Sequence, residues 1–139
     1  MKASFAHQLS YYPDARANLQ VRLTDSNALG VEATVTNPQD QQLDQLGPLV
    51  SPISVSALVA EVLTRIARDE RLDITDELET PFMRREGCVR GVYTVDPTEY
   101  ATETHFAMKA EYLARRFIQL LHEILSAFSK AACCQPITA

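Results

Sequence analysis

The chain has 139 residues, 46% hydrophobic and 22% charged, ordinary values for one globular domain that buries about two thirds of its unfolded surface. Its formal net charge of −5 gives the long-range field the wrong sign for non-specific attraction to nucleic acid or anionic membranes. No apolar run approaches the ~18 residues that span a bilayer, the first residues lack the apolar core of a secretory signal, and the cysteine count is odd, at 3, which together predict a cytoplasmic protein.

Phe5, His7, Leu9 and Tyr11 alternate with smaller or polar residues as far as Pro13, the pattern of a short strand. Leu19, Val21 and Leu23 then point one way and Gln20, Arg22 and Thr24 the other. Val31, Ala33 and Val35 repeat the alternation against Glu32, Thr34 and Thr36, and turn-forming residues from Asp25 to Gly30 lie between. An antiparallel hairpin with one buried and one wet face follows. The stretch from Gln39 to Pro52 is rich in Gln and Asp and broken by Pro48, which predicts a surface loop.

Ser54 has the chemistry of an N-cap, and Val55, Leu58, Val59, Val62, Leu63 and Ile66 share one face of the helix it starts. Glu61, Arg65, Arg68 and Asp69 take the opposite face. The acidic segment from Asp73 to Pro81 suits a short helical turn, and Cys88 to Val95 reads as a final strand, where Gly87 and Gly91 permit a bulge or close packing. Asp96-Pro97-Thr98-Glu99 is a helix-start signal, so a long helix begins near Pro97, or after a small break near Thr102. The predicted architecture is a two-layer α+β domain over 1–131, with an antiparallel sheet of about four strands, two main helices, and a flexible tail over 132–139.

From Thr102 to Ala131 the last helix would run about 45 Å, longer than the roughly 37 Å diameter of a compact domain of this size. Phe106, Ala110 and Leu113 form one ordinary apolar stripe. Beyond them Phe117, Leu120, Ile124 and Ala127 are joined by Ile118, Leu121, Leu125 and Phe128, and the eight cover an arc of about 180°. Two coverings fit that width. One stripe packs on the sheet and Phe117, Ile118, Leu121, Leu125 and Phe128 meet a partner, most simply the same helix of a second subunit in a two-fold dimer. Alternatively, both stripes are covered within the chain, by the sheet and by the Ser54 helix or the Gln39 loop.

Chemistry-bearing patterns are sparse. Cys88 lies among Arg84, Arg85 and Arg90, where a thiol can have its pKa lowered, but an arginine loop of the phosphatase kind needs an arginine at the position of Thr94. The simpler reading is a small strand residue flanked by solvated charge. His105 and His122 stand 17 residues apart, about 25 Å along one helix, too far to share a metal within a subunit. The acidic run from Asp69 to Glu79 lacks the spacing of a calcium loop, the 4 glycines form no phosphate loop, and no catalytic or cofactor motif stands out.

Two functional classes remain. The favoured one is a non-enzymatic intracellular oligomer, a dimer most simply, that binds another protein as an assembly factor, adaptor or chaperone through its C-terminal helix. The alternative is a small oligomeric enzyme or binding protein for an anionic small molecule, with Arg84, Arg85, Arg90, Tyr93 and His105 around the ligand. An enclosed pocket of convergent polar groups near Arg90, Tyr93 or His105 would mark the second class.

Overall fold

A computed structural model describes residues 1–10, 12, 14–25, 28–47, 53–74, 82–85 and 88–133, with backbone alone at 24, 25, 74, 82–85 and 128–133. The elements in chain order are β1 (Lys2–Gln8), β2 (Arg16–Asp25), β3 (Ala28–Thr36), β4 (Gln45–Leu46), β5 (Ile53–Ser54), α1 (Val55–Asp69), β6 (Asp73–Ile74), β7 (Phe82–Arg85) and β8 (Cys88–Thr94). A single 3-10 turn, Pro97–Tyr100, then leads into α2 (Glu103–Cys133). The fold is α+β.

Four long strands run antiparallel in the order β1-β2-β3-β8, and the short β6 and β7 both pair with the far side of β8. The hairpin has the alternation expected of it. Leu19 pairs with Ala33 and Val21 with Val31 on one face, while Gln20 pairs with Glu32 and Asn18 with Thr34 on the other. The register continues into β8, which sets Arg90 opposite Glu32 and Val89 opposite Ala33. Because side chains alternate strictly in a strand, one face collects Ala17, Leu19, Val21, Leu29, Val31, Ala33, Val35, Val89 and Tyr93, all buried.

Both helices lie on that face, α1 over β3 and β8, and α2 over β1 and β2. Helix α1 starts where its cap predicts, with Ser54 Oγ accepting from the Ala57 amide at 3.4 Å. Val55, Leu58, Val59, Val62, Leu63 and Ile66 are all buried beneath it. At its end the chain reverses through Arg71, in the left-handed region at φ 54°, and the Leu72 amide donates to the Ala67 carbonyl at 2.8 Å. The start signal at Asp96 produces the 3-10 turn, with Asp96 Oδ1 accepting from the Thr98 amide, and α2 begins after the break near Thr102. The Asp96 carboxyl is held below its usual range by those Thr98 hydrogen bonds.

Several segments differ from their expectation, among them the first strand, which runs Lys2–Gln8 rather than from Phe5 to Tyr11. The Gln39–Pro52 stretch is not wholly a surface loop: Gln42 bridges to Thr36, and β4 pairs with β5 and buries Leu46 in the core. Asp73 and Ile74 extend as a strand against Thr94 and Tyr93 rather than coiling, because the open edge of β8 offers them a ladder. Residues 82–85, which carry no strand signal of their own, form a hairpin strand against the start of β8. The rest of the acidic segment, 75–81, and Gly87 lie outside the described residues, as does the tail from 134 on. Helix α2 continues through 132 and 133.

Candidate functional site

Within the chain, four residues of the wide apolar arc of α2 are buried, Ile118 and Ile124 are half-buried and Ala127 is exposed. Phe117, Leu121 and Leu125 are buried, with Leu121 and Leu125 at 0% exposure, and Ile118 is half-buried against the same core. Leu120 is buried too, and the side chain of Phe128 lies outside the described residues. Within the chain α2 has neighbours both beneath and beside it. The sheet lies below, and α1 runs along one flank, joined to α2 by the ion pair of Arg116 with Asp69 at 3.0 Å and the hydrogen bond from the Tyr112 hydroxyl to Glu70. A helix held on two sides buries a broader stripe than one resting on a flat sheet.

Three members of the proposed anion-binding set, Arg90, Tyr93 and His105, have described side chains, and they lie apart. Arg90 and Tyr93 are three residues apart on β8, so they face opposite sides of the sheet. Tyr93 is 1% exposed on the helix side, where its hydroxyl donates to the Leu63 carbonyl at 2.7 Å and burial pushes its pKa well up. His105 is exposed at the start of α2, on the outside of the helix layer. Arg84 and Arg85 register opposite Val89 and Cys88, and their side chains lie outside the described residues. Arg90 faces a depression in the surface.

That depression belongs to the open face of the sheet. Two shallow hollows adjoin there: one of about 270 Å³ is lined by Ser4, Ala6, Asn18, Gln20, Glu32 and Thr34, and one of about 340 Å³ by Gln20, Arg22, Gly30, Glu32, Arg90 and Val92. They share Gln20 and Glu32. The residues come from four strands in lateral rows, Ser4-Gln20-Glu32-Arg90 and Ala6-Asn18-Thr34-Cys88, each row being one step of the strand register. Short side chains (Ser, Ala, Thr and Gly) keep the floor low, and the longer Gln20, Arg22, Glu32 and Arg90 rise from it.

Glu32 is the centre of the face. Its carboxylate accepts from Arg90 Nε at 3.1 Å and from the Cys88 thiol at 3.7 Å. Cys88 is buried, and burial first, then the Glu32 charge, push its thiol up, with Arg90 opposing. Burial and Glu32 thus act against the lowering that neighbouring arginines would give, and the thiol donates to the Glu32 carboxylate. On the second row Asn18 Nδ2 donates to Thr36 Oγ1 at 3.0 Å and Thr34 Oγ1 at 3.4 Å. Nothing in the sequence marks Gln20, Glu32 or Asn18 as functional. The only signal is the wet-face alternation, which every half-buried strand carries.

A second polar feature lies between layers. His122 on α2 has its Nε2 buried with no hydrogen-bond partner, and its pKa is lowered by burial and by the nearby His7 of β1. Among the described residues no three His, Cys, Asp or Glu side chains gather as a metal site, and no helix is long and apolar enough to cross a membrane. Comparison with protein-family models, with characterised proteins and with solved structures gives no match.

Proposed function

We propose that the protein is a non-enzymatic, intracellular homo-oligomer that binds another protein, as an assembly factor, adaptor or chaperone, and that its partner lies against the open face of the sheet. One observation carries this reading: the two hollows on that face are broad, adjoining and open, and their lining is spread over four strands. A shallow face of this kind suits a protein surface, whereas small-molecule sites are concave and bury most of their ligand. On α2, Phe117, Leu121 and Leu125 are buried in the core, which favours the sheet over that stripe of the helix as the contact surface.

The alternative class keeps one specific support. Arg22 and Arg90 line the same 340 Å³ hollow, so an anionic small molecule would sit there, away from Tyr93 and His105. Arg90 is already neutralised by Glu32, which weakens that reading. Parallel affinity purification of the wild type and of the double variant Gln20→Lys, Thr34→Glu separates the two classes. A protein retained by the wild type and lost by a folded variant, with no thermal shift from phosphorylated or carboxylated metabolites, supports the protein-binding reading. A metabolite that raises stability by about 2.7 kcal/mol at a hundred times its dissociation constant overturns it.

A further inference from the structure

We propose that two copies of the chain join edge to edge through β1, antiparallel about a two-fold axis at Phe5, so that the two open faces form one continuous surface. The inference names the interface of the dimer proposed above and rests on that reading.

The backbone of β1 defines a free edge. The Leu23 amide donates to the Met1 carbonyl at 3.1 Å and the Leu9 amide to the Ala15 carbonyl at 3.0 Å, and the register between them is unbroken. Odd-numbered residues of β1 therefore bond to β2, and the amides and carbonyls of Lys2, Ser4 and Ala6 point outward. Among the described residues no strand pairs with that edge, and Lys2, Ser4 and Ala6 are exposed. The opposite edge of the sheet is covered by β6 and β7. Exposed edges are normally blunted by proline, a bulge or repeated charge; β1 has neither proline nor bulge and one formal charge, Lys2.

A second copy fits this edge in register. With Phe5 opposite Phe5 of the second copy, Ser4 falls opposite Ala6 and Ala3 opposite His7, and Lys2 lies toward the far end of the second strand. The outward-bonding even residues then meet each other, as an antiparallel ladder requires. The two Lys2 ammonium groups stand about 20 Å apart, beyond the ~8 Å screening length at physiological salt. Parallel pairing would set them side by side. At the axis two half-buried Phe5 rings form a cross-strand aromatic pair on the helix side.

A strand junction alone falls short of the roughly 1,200 Å² of a stable interface, so the helix layer must contribute. It is placed to do so. Ile118 and His122 are one turn apart on the flank of α2 opposite Arg116, and both are half-buried on the side of β1. Two α2 helices carried by adjoining β1 strands bring these flanks toward each other.

The test is Ala6→Pro, which removes an outward amide while leaving the bonds to β2 intact, and asks Phe5 only for the extended backbone it already has. Light scattering of the wild type at micromolar concentration is expected to give twice the chain mass, and Ala6→Pro one chain mass with an unchanged circular dichroism spectrum. In the wild type, exchange of the Ser4 and Ala6 amides should slow about ten-fold or more between dilute and concentrated protein. A monomeric wild type overturns the interface together with the oligomeric part of the proposed function. A dimer that survives Ala6→Pro, or whose Ser4 and Ala6 amides exchange freely, overturns the interface alone. If Ala6→Pro does not fold, the exchange measurement decides.

Discussion

The two faces of the sheet are made by the same strands and could hardly differ more. In β3, Leu29, Val31, Ala33 and Val35 are fully or almost fully buried under the helices, while Gly30, Glu32, Thr34 and Thr36, one position along in each case, remain partly open to solvent. In β8 the same alternation puts Tyr93 under α1 and Arg90 on the open side. The difference separates two kinds of constraint. On the covered face each side chain is fixed by volume and dryness, and on the open face by hydrogen-bonding character and height. A change on the first should cost folding, and one on the second should cost binding.

The largest effect should come from Leu121→Asp or Leu125→Asp. Each puts a carboxylate where the side chain is wholly enclosed, and loss of the buried leucine alone costs about 2–5 kcal/mol before the charge is counted. The domain should unfold, seen as loss of the cooperative urea transition. Dissociation with the fold retained would mean that this stripe faces a partner. Tyr93→Phe comes next: its hydroxyl satisfies the Leu63 carbonyl in the core, and losing that bond should cost about 1–3 kcal/mol, read from the urea midpoint.

A pH dependence follows in size. Folding lowers the His122 pKa through burial and the nearby His7, so around and below its ordinary pKa of about 6.5 the unfolded chain binds more protons than the folded one. Its contribution is fully present above that value and is lost as pH falls through and below it. Urea midpoints should therefore drop from pH 7 to pH 5, and His122→Leu should flatten the slope. The smallest effect belongs to the open face. Arg90 and Glu32 are both partly solvated, so Arg90→Met should shift stability by no more than about 1 kcal/mol. A larger loss would show that the open face is part of the core.

Most of the fold was legible because it is written in periodicity. The alternation of β2 and β3, the six apolar residues of α1 and the Asp96 start signal each specify one local structure, and the structure contains all three. What escaped depends on neighbours. Leu46 is a lone apolar residue in a polar stretch, and its burial follows from the pairing of β4 with β5. The strand at Asp73 forms because β8 has an edge to fill. The width of the α2 arc is legible in the sequence, but spacing along a helix cannot say whether a second neighbour is α1 or another chain. Its site residues were the least legible. Arg90 and Tyr93 look adjacent in sequence, yet strand alternation sends them to opposite faces, and Glu32 meets Cys88 and Arg90 only through the β3-β8 register.

The central claim is that α2 closes the core of a single subunit and leaves the sheet for partners. Hydrogen exchange of the amides from Leu120 to Leu125, followed as the protein is diluted, tests it most directly. Protection that stays equal to global stability at every concentration is the predicted result, since these residues pack against their own sheet and α1. Protection that drops below global stability on dilution while the domain remains folded would contradict it and return the second stripe to a partner.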